Sequence, residues 1–390
     1  MKSQLTALSK LITTLGLALP LAFSALASES QNIPRDLTFS TLITTPLVIE
    51  GLTGDESGNL YTVGRQPGNG VSCPVWRVNV ALPALVVVGF IPAPSATTQC
   101  SPSGLTFNDA GSLFVADGDK IFTFTPDVGS PPLATVYASG VPGTNGVAFD
   151  RDGNLWTGDG TTGQGRVWKI APGGVVTEVF RVQPMSNEVN LVAGVGGVGR
   201  DIRTLPPGTI TVTPTSRNAA NTAGSQALVA NGLQFNRRGD LFIADTARGA
   251  IWRARFDRHG NLESPVGCDA TFAANTLCLD NVFVAHPYIE GADGIVLDRE
   301  GNIWVDANER NAVAVVTRNG NVIEVFRNPP DSGTLLRNTG PLETPTSPFL
   351  IAGRICTANS DGNRRDNSPS TAGEIGGAGQ PKGKISCAAL

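Results

Sequence analysis

Four side chains that carry oxygen donors each stand directly before a glycine: Glu50, Asn145, Asn231 and Asp293. Carboxylate and amide oxygens are hard ligands that suit Ca²⁺ or Mg²⁺, and Zn²⁺ can bind with fewer of them plus water. A single Asn-Gly or Asp-Gly pair indicates only a turn. Four such pairs at the same place in a repeat favour a cation site, because a turn requirement does not explain Glu50.

The elements that must position these residues follow from a repeated cassette. A turn-forming glycine, a small polar residue and an apolar-rich run recur five times, with the glycine at positions 58, 111, 153, 239 and 301. Stretches before and after each glycine alternate or run apolar, as β-strands do. Third and fourth strand patterns follow several copies, so the unit is a four-stranded sheet that repeats about every 40 to 60 residues.

The repeat predicts an all-β fold, a six-bladed β-propeller of four-stranded antiparallel blades. Six blade starts can be located in the sequence: Glu50-Gly51, Ser103-Gly104, Asn145-Gly146, Asn231-Gly232, Asp293-Gly294 and, more weakly, Ser347-Pro348. A strand within residues 37–49 is expected to close the ring by pairing with the last blade, which leaves no exposed edge. A pair of β-sandwiches would not explain the recurrence of the whole cassette. In a propeller, the four donor-bearing starts converge on the central channel.

The N-terminus has the pattern of a secretory signal. Lys2 and Lys10 precede an apolar stretch, and a small-residue cleavage site ends at residue 27. We therefore expect residues 1–27 to be removed and the protein to be secreted or periplasmic, with no membrane span. Residues 28–390 are expected to form one propeller domain, with an insertion in the third blade around residues 183–227 and a Gly/Ser/Asn-rich loop around residues 359–383.

Net charge bears on the class of binding partner, and cysteine content indicates the redox state of the compartment. The formal net charge is −4, and loss of the two leader lysines makes it −6, so nucleic acid is not the expected partner. Six cysteines in an exported chain indicate disulfides. Pairing by proximity in the sequence predicts the three bridges Cys73–Cys100, Cys268–Cys278 and Cys356–Cys387, one of fifteen connectivities that six cysteines allow.

The four donor-bearing starts, with the residues that follow them, resemble the senescence marker protein/gluconolactonase/luciferin-regenerating-enzyme family of six-bladed propeller lactonases. The resemblance implies that Glu50, Asn231 and Asp293 bind one divalent metal, with Ca²⁺ preferred and Zn²⁺, Mg²⁺ or Mn²⁺ open. It assigns Asn145 to contact with substrate or metal-bound water, and Asp293 also to the role of general base. The implied substrate is a small-molecule lactone or ester. The family usually has Pro and an aromatic residue after Glu-Gly, where this chain has Leu52-Thr53.

Other readings of the same fold stay open at this point. Strictosidine-synthase-like and streptogramin-lyase-like propellers have the same shape, and an NHL-type propeller would bind a protein or glycan without catalysis. His286, seven residues before Asp293, is a candidate proton shuttle. Aspartates at the ends of the second strands are expected to bond backbone groups in turns: Asp117, Asp159, Asp245 and Asp306. The sequence makes no prediction of the oligomeric state.

Overall fold

Antiparallel strands built on the cassette dominate the regular structure of the chain. The computed structural model describes residues 33–162, 164–183, 230–246, 248–263, 275–328, 340–360 and 382–390. Among these residues, no helix is long and apolar enough to cross a membrane. Residues Pro34–Leu390 belong to one compact unit.

The N-terminal half contains β1 (Ser40–Thr45) and three blades. The strands of blade 1 are β2 (Val48–Gly54), β3 (Asn59–Arg65), β4 (Cys73–Asn79) and β5 (Val86–Ile91). Those of blade 2 are β6 (Leu105–Phe107), β7 (Leu113–Asp117), β8 (Lys120–Phe124) and β9 (Thr135–Ser139). Those of blade 3 are β10 (Thr144–Phe149), β11 (Leu155–Asp159), β12 (Arg166–Ala171) and β13 (Val175–Val182).

The C-terminal half contributes the remaining blades. The strands of blade 4 are β14 (Ala230–Phe235), β15 (Leu241–Asp245), β16 (Ala250–Phe256), the short β17 (Leu262–Glu263) and β19 (Val282–Ala285). Between β17 and β19 in the sequence, β18 (Thr276–Leu277) pairs in parallel with β13 of blade 3. Blade 5 comprises β20 (Ala292–Leu297), β21 (Ile303–Ala307), β22 (Ala312–Val316) and β23 (Val322–Arg327). Blade 6 comprises β24 (Pro345–Ile351), β25 (Arg354–Asn359) and β26 (Gly383–Ala389).

The predicted six-bladed propeller is confirmed, and so is its closure. Within the described residues the blades are six separate sheets, and β1 is the outermost strand of the last one, in the order β1-β26-β25-β24. The N-terminal strand therefore pairs with the C-terminal strand, Ser40 opposite Cys387. Hydrophobic side chains of neighbouring blades pack between the sheets, as where Trp156 of blade 3 meets Phe235 of blade 4 with ring centroids 5.4 Å apart.

An Asp or Asn side chain three residues before the turn glycine holds each cassette turn. Asp150 accepts hydrogen bonds from the backbone of Asp152 and Asn154 through Oδ1, and from the Asn154 amide and the Trp156 indole through Oδ2. The turn glycine, Gly153, has φ of 78°, which favours glycine. Asp298 makes the same set of bonds to its own turn and indole in blade 5. The cassette is thus scaffold that links the first two strands of a blade.

Two of the three predicted disulfides are present. Cys73–Cys100 fastens blade 1 to the connection before blade 2, and Cys356–Cys387 joins β25 to β26. Cys278 is disulfide-bonded as well, and its predicted partner Cys268 lies outside the described residues. The predicted insertion and the Gly/Ser/Asn-rich loop also fall almost entirely on residues outside the described ranges.

Candidate active site at the centre of the propeller

The residues that begin the first strand of each blade form a ring of backbone contacts. We call these six positions the rim residues: Glu50, Ser103, Asn145, Asn231, Asp293 and Thr346. In blades 1, 3, 4, 5 and 6 the pairing of the first two strands shifts register at the rim residue. The rim residue of each of these blades therefore lies in a β-bulge. The four donor-bearing residues named from the sequence occupy four of the six positions.

The glycine after a rim residue allows neighbouring blades to approach closely. A Cβ on Gly146 would lie 2.6 Å from the Asn231 carbonyl oxygen, and one on Gly232 would lie 2.6 Å from the Asp293 carbonyl oxygen. Gly51, Gly104 and Gly294 face the next blade in the same way. A side chain larger than hydrogen would push the blades apart, because real Cβ atoms do not approach carbonyl oxygens this closely.

The sixth rim residue corrects one expectation from the sequence. Gly294 faces the carbonyl oxygen of Thr346 and the Cα of Ser347, which places Thr346 at the rim and Ser347 at the glycine position. The start of the last blade is therefore Thr346-Ser347 rather than Ser347-Pro348. The Thr346 hydroxyl donates to the Glu50 carbonyl oxygen at 2.7 Å and so joins blade 6 to blade 1.

A second set of positions lies at the ends of the second strands, and its side chains in blades 1, 4 and 5 contact the rim residues. In blades 1 to 5, the residue fifteen positions after the rim residue follows or ends the second strand of the same blade, and we call it the companion residue. The companions are Arg65, Gly118, Gly160, Thr246 and Asn308. Asn231 donates to the Thr246 hydroxyl at 3.0 Å, and Asn308 donates to Asp293 Oδ2 at 2.7 Å. The constant spacing of fifteen is a sequence feature that could have revealed these companions.

Glu50 has a cationic companion. Its carboxylate forms an ion pair with the Arg65 guanidinium. The Glu50 side chain is 14% exposed and the Arg65 side chain 15%. Arg65 also donates to the Ser101 hydroxyl, from Nε at 3.2 Å and from Nη2 at 2.7 Å. Asp117 accepts from the Ser101 backbone at 3.0 Å. Burial raises the pKa of Asp117, and the bond from Ser101 and the nearby Arg65 charge offset part of that rise.

Asp293 lies beside a second, deeper carboxyl group. Asp306 is fully buried, accepts a hydrogen bond from the Thr357 hydroxyl of blade 6, and has an Oδ1 atom without a hydrogen-bond partner in the described part of the chain. Burial raises the pKa of Asp306 well above its ordinary value, and the neighbouring Asp293 charge raises it further. Here the sequence expectation was wrong, because Asp306 stands one residue earlier in its strand than Asp159 and Asp245 in theirs.

The other aspartates behave as expected. Asp159 accepts from the Thr162 backbone at 2.9 Å and Asp245 accepts from the Arg248 backbone at 3.1 Å, each in the turn after its strand. Asp245 also binds the buried guanidinium of Arg248 and the Trp252 indole. These two carboxylates therefore support the second strands and do not reach the rim.

The Asn145 carboxamide is available to a ligand. Its companion is Gly160, where a Cβ would lie 2.5 Å from Asn145 Nδ2, so the absence of a side chain makes room for this amide. The side chain is 8% exposed, and among the described residues it has no hydrogen-bond partner. Asn145 thus differs from Asn231 and Asp293, whose side chains contact companions.

His286 lies at the outer edge of blade 4. It follows β19, and its Nδ1 accepts from the Tyr288 backbone at 3.1 Å, which caps a short 3₁₀ helix (Pro287–Ile289). Burial lowers the pKa of His286, and the nearby Arg310 charge lowers it further. In the described part of the chain, His286 makes no hydrogen bond to a rim residue. Its role as a proton shuttle remains a prediction.

The donor set of the rim suits a hard divalent cation. Two carboxylates and two carboxamides, from Glu50, Asp293, Asn145 and Asn231, are the oxygen ligands that Ca²⁺ takes. The described residues contain no cluster of three or more His, Cys, Asp and Glu side chains placed to hold a metal, so any such site depends on the amides. A cation here would have to replace Arg65 at Glu50 and Asn308 at one oxygen of Asp293.

Comparison with known proteins agrees with the resemblance seen in the sequence. The sequence model of the SMP-30/Gluconolactonase/LRE-like region matches residues 92–336. The chain belongs to this family. The matched range contains Asn145, Asn231 and Asp293, and Glu50 precedes it. No curated protein matches the chain.

Solved structures share the fold of this family member at low sequence identity. A luciferin-regenerating enzyme is 13% identical, with 91% of this chain and 95% of that chain covered and a TM-score of 0.56. The calcium-binding protein regucalcin from Agrobacterium tumefaciens is 19% identical, with 90% and 94% covered and a TM-score of 0.53. A PQQ-bound aldose sugar dehydrogenase from Streptomyces coelicolor is 12% identical, with 91% and 99% covered and a TM-score of 0.52. At these identities the comparison establishes the fold alone. Proteins that share this fold carry out different chemistry.

Proposed function

We propose that the protein is an exported, metal-dependent hydrolase that opens lactones or related esters at the rim of the propeller channel. The observation that carries the proposal is that Glu50, Asn145, Asn231 and Asp293 occupy corresponding positions in one closed ring of blades. Membership of a family that includes gluconolactonases supports the reaction type. The two disulfides and the leader-like N-terminus support export.

Glu50, Asn231 and Asp293 would hold one divalent cation, with Ca²⁺ preferred for an all-oxygen donor set. Such a cation supplies a Lewis acid for the ester carbonyl and lowers the pKa of a water molecule. Asn308 donates to Oδ2 of Asp293 at 2.7 Å and would help to orient this carboxylate until the cation takes its place. Asp293 can then accept a proton from the attacking water as general base.

Asn145 would orient the substrate. Its carboxamide offers two N–H donors and a carbonyl acceptor, and Gly160 leaves space beside it. A ring oxygen or hydroxyl group of a lactone is a suitable partner for these donors. The natural lactone is not specified by these contacts, since they recognise a polar ring in general.

Hydrolysis of a lactone panel, followed by pH-stat, tests the proposal. The purified chain is assayed with sugar, aliphatic and aryl lactones, in Ca²⁺, Mg²⁺, Mn²⁺ or Zn²⁺ and in EDTA. We expect EDTA to abolish hydrolysis of at least one lactone class, and Glu50→Gln and Asp293→Asn each to lower kcat/KM at least about 100-fold, about 2.7 kcal/mol of transition-state stabilisation. Asp152→Asn, an exposed carboxylate in a cassette turn, is the control and should change kcat/KM less than about twofold.

Two outcomes would contradict the proposal. Either no lactone is hydrolysed by metal-loaded protein, or Glu50→Gln and Asp293→Asn retain the activity of the control. Circular dichroism and thermal unfolding of every variant separate a loss of chemistry from a loss of folding. If folded, metal-loaded protein hydrolyses no lactone of the panel, a propeller that binds without catalysis is favoured.

A further inference from the structure

A basic groove lies on the face of the propeller opposite the rim. The first strand of a blade runs from its rim residue to its cassette turn, and six residues of strand span about 20 Å. Between the cassette turns of blades 4 and 5 there is a groove of about 640 Å³. It is therefore separate from the candidate active site.

Arginines dominate the lining of this groove. Four of them have no ion-pair or hydrogen-bond partner for their guanidinium groups within the described residues, and all four are exposed: Arg237, Arg238, Arg299 and Arg318. A fifth, Arg253, reaches the groove while paired with Asp240 at 2.5 Å. The Asp298 carboxylate is taken up by its own turn, which leaves Glu300 as the acid that can oppose this charge.

The fold does not require this charge. A comparable groove on the same face, beside the cassette turns of blades 1 and 2, is lined by Asp55, Glu56 and Asp109 and by no basic residue. In blade 4 the cassette even replaces the usual turn aspartate with Asn236, which keeps the turn bonds and removes a negative charge. In a chain of net charge −4, four exposed guanidinium groups around one groove are a local reversal of sign.

The floor of the groove is aromatic. Phe242 is buried and packs edge-on against Phe283 with ring centroids 5.3 Å apart, and Phe235 is half-buried beside them. The Arg253 guanidinium stacks over Phe242 at 5.8 Å. An apolar floor beneath a charged edge suits a ligand with one apolar ring face and anionic groups on its periphery.

We propose that this groove binds an anionic sugar or short oligosaccharide that carries at least two carboxylate, sulfate or phosphate groups. Arginine forks bind such groups through two parallel hydrogen bonds, which gives direction as well as attraction. The volume accommodates a ligand of one to a few sugar rings, and the half-buried phenyl rings face its C–H groups. The binding is independent of the proposed hydrolysis at the rim.

Isothermal titration calorimetry at fixed ionic strength tests the proposal with defined probes. Digalacturonate supplies carboxylates, sucrose octasulfate supplies sulfates, glucose 1,6-bisphosphate supplies phosphates, and maltose is the neutral probe. The double variant Arg299→Ser/Arg318→Ser removes two groove charges. The matched control Arg151→Ser/Arg354→Ser removes two exposed arginine charges outside the groove.

We expect at least one anionic probe to bind at least about tenfold more tightly than maltose. We also expect the groove variant to weaken that binding at least tenfold, and the control variant to change it less than about twofold. Equal binding of anionic and neutral probes would overturn the proposal, and so would an equal loss in the control variant, since that would mean attraction by overall charge. Glu50→Gln should bind the probe as the wild type does. Failure of groove binding can therefore be distinguished from failure of the proposed hydrolysis.

Discussion

Replacing Arg65 with methionine should strengthen metal binding at the rim while it weakens the metal-free fold. The guanidinium of Arg65 is paired with Glu50 and bonded to Ser101, and it lowers the pKa of the buried Asp117. A cation that uses Glu50 must displace this partner and then sit beside its positive charge. Methionine retains much of the side-chain volume and removes both obstacles.

The magnitude follows from the bonds that are exchanged. A hydrogen bond to a charged group contributes about 1.5–3 kcal/mol, and every 1.4 kcal/mol is about tenfold in affinity. Because both side chains are mostly buried, screening reduces this figure only in part. We therefore expect the Ca²⁺ dissociation constant of Arg65→Met to fall by about 10- to 100-fold.

Two measurements give opposite signs and so distinguish competition from support. Calorimetric titration with Ca²⁺ should show tighter binding, and thermal unfolding in EDTA should show a lower Tm, because Glu50 and Asp117 lose their shared cation. Arg151→Met, at an exposed position, is the control for loss of one positive charge. Weaker or unchanged Ca²⁺ binding by a folded Arg65→Met protein would show that Arg65 does not compete with the cation for Glu50.

Three further predictions concern the scaffold around the site. Gly146→Ala places a Cβ 2.6 Å from the carbonyl oxygen of the next rim residue and should cost about 1–3 kcal/mol by chemical denaturation. Gly129→Ala, where a Cβ would meet the exposed Asp127 carboxylate at an ordinary contact distance of 3.4 Å, should be nearly neutral. Asp306→Asn should raise Tm by a margin that grows as pH rises above 5. The pKa of Asp306 is raised in the folded state, so the unfolded chain ionises first, and the wild type loses stability with rising pH until the folded carboxyl group ionises too. A margin independent of pH would contradict this. Removal of the Cys73–Cys100 bridge by double alanine substitution should cost about 2–4 kcal/mol, and an unchanged Tm would count against a structural role.

The repeat made the architecture predictable from the sequence. Each cassette couples an Asx-type turn to two strands, so its recurrence determines the blade. The blade starts, one more than the cassettes, gave the number of blades. Closure by β1 followed from the need to pair an exposed edge. The last start was displaced by one residue because blade 6 lacks the glycine that marks the others, and only contact with Gly294 identifies Thr346.

The contacts of the rim residues could not be predicted in the same way. The constant spacing of fifteen could indicate which residue is the companion of Glu50, but a strand pattern does not show that the two side chains form an ion pair. Arg65 is paired in the sheet with Val48, and only the ion pair with Glu50 identifies it as part of the rim. Asp306 was misread for a related reason, since a displacement of one residue along a strand turns the side chain to the other face.

The most direct test of the account is the position of a bound cation. Anomalous diffraction from crystals of the protein grown with Mn²⁺ locates such an ion without assumptions about activity. We expect one strong peak at the channel rim, about 2.0–2.6 Å from oxygen atoms of Glu50, Asn231 and Asp293, with Arg65 turned away from Glu50. Absence of a peak there, or a peak bound to other residues alone, would contradict the assignment of this ring as the metal centre.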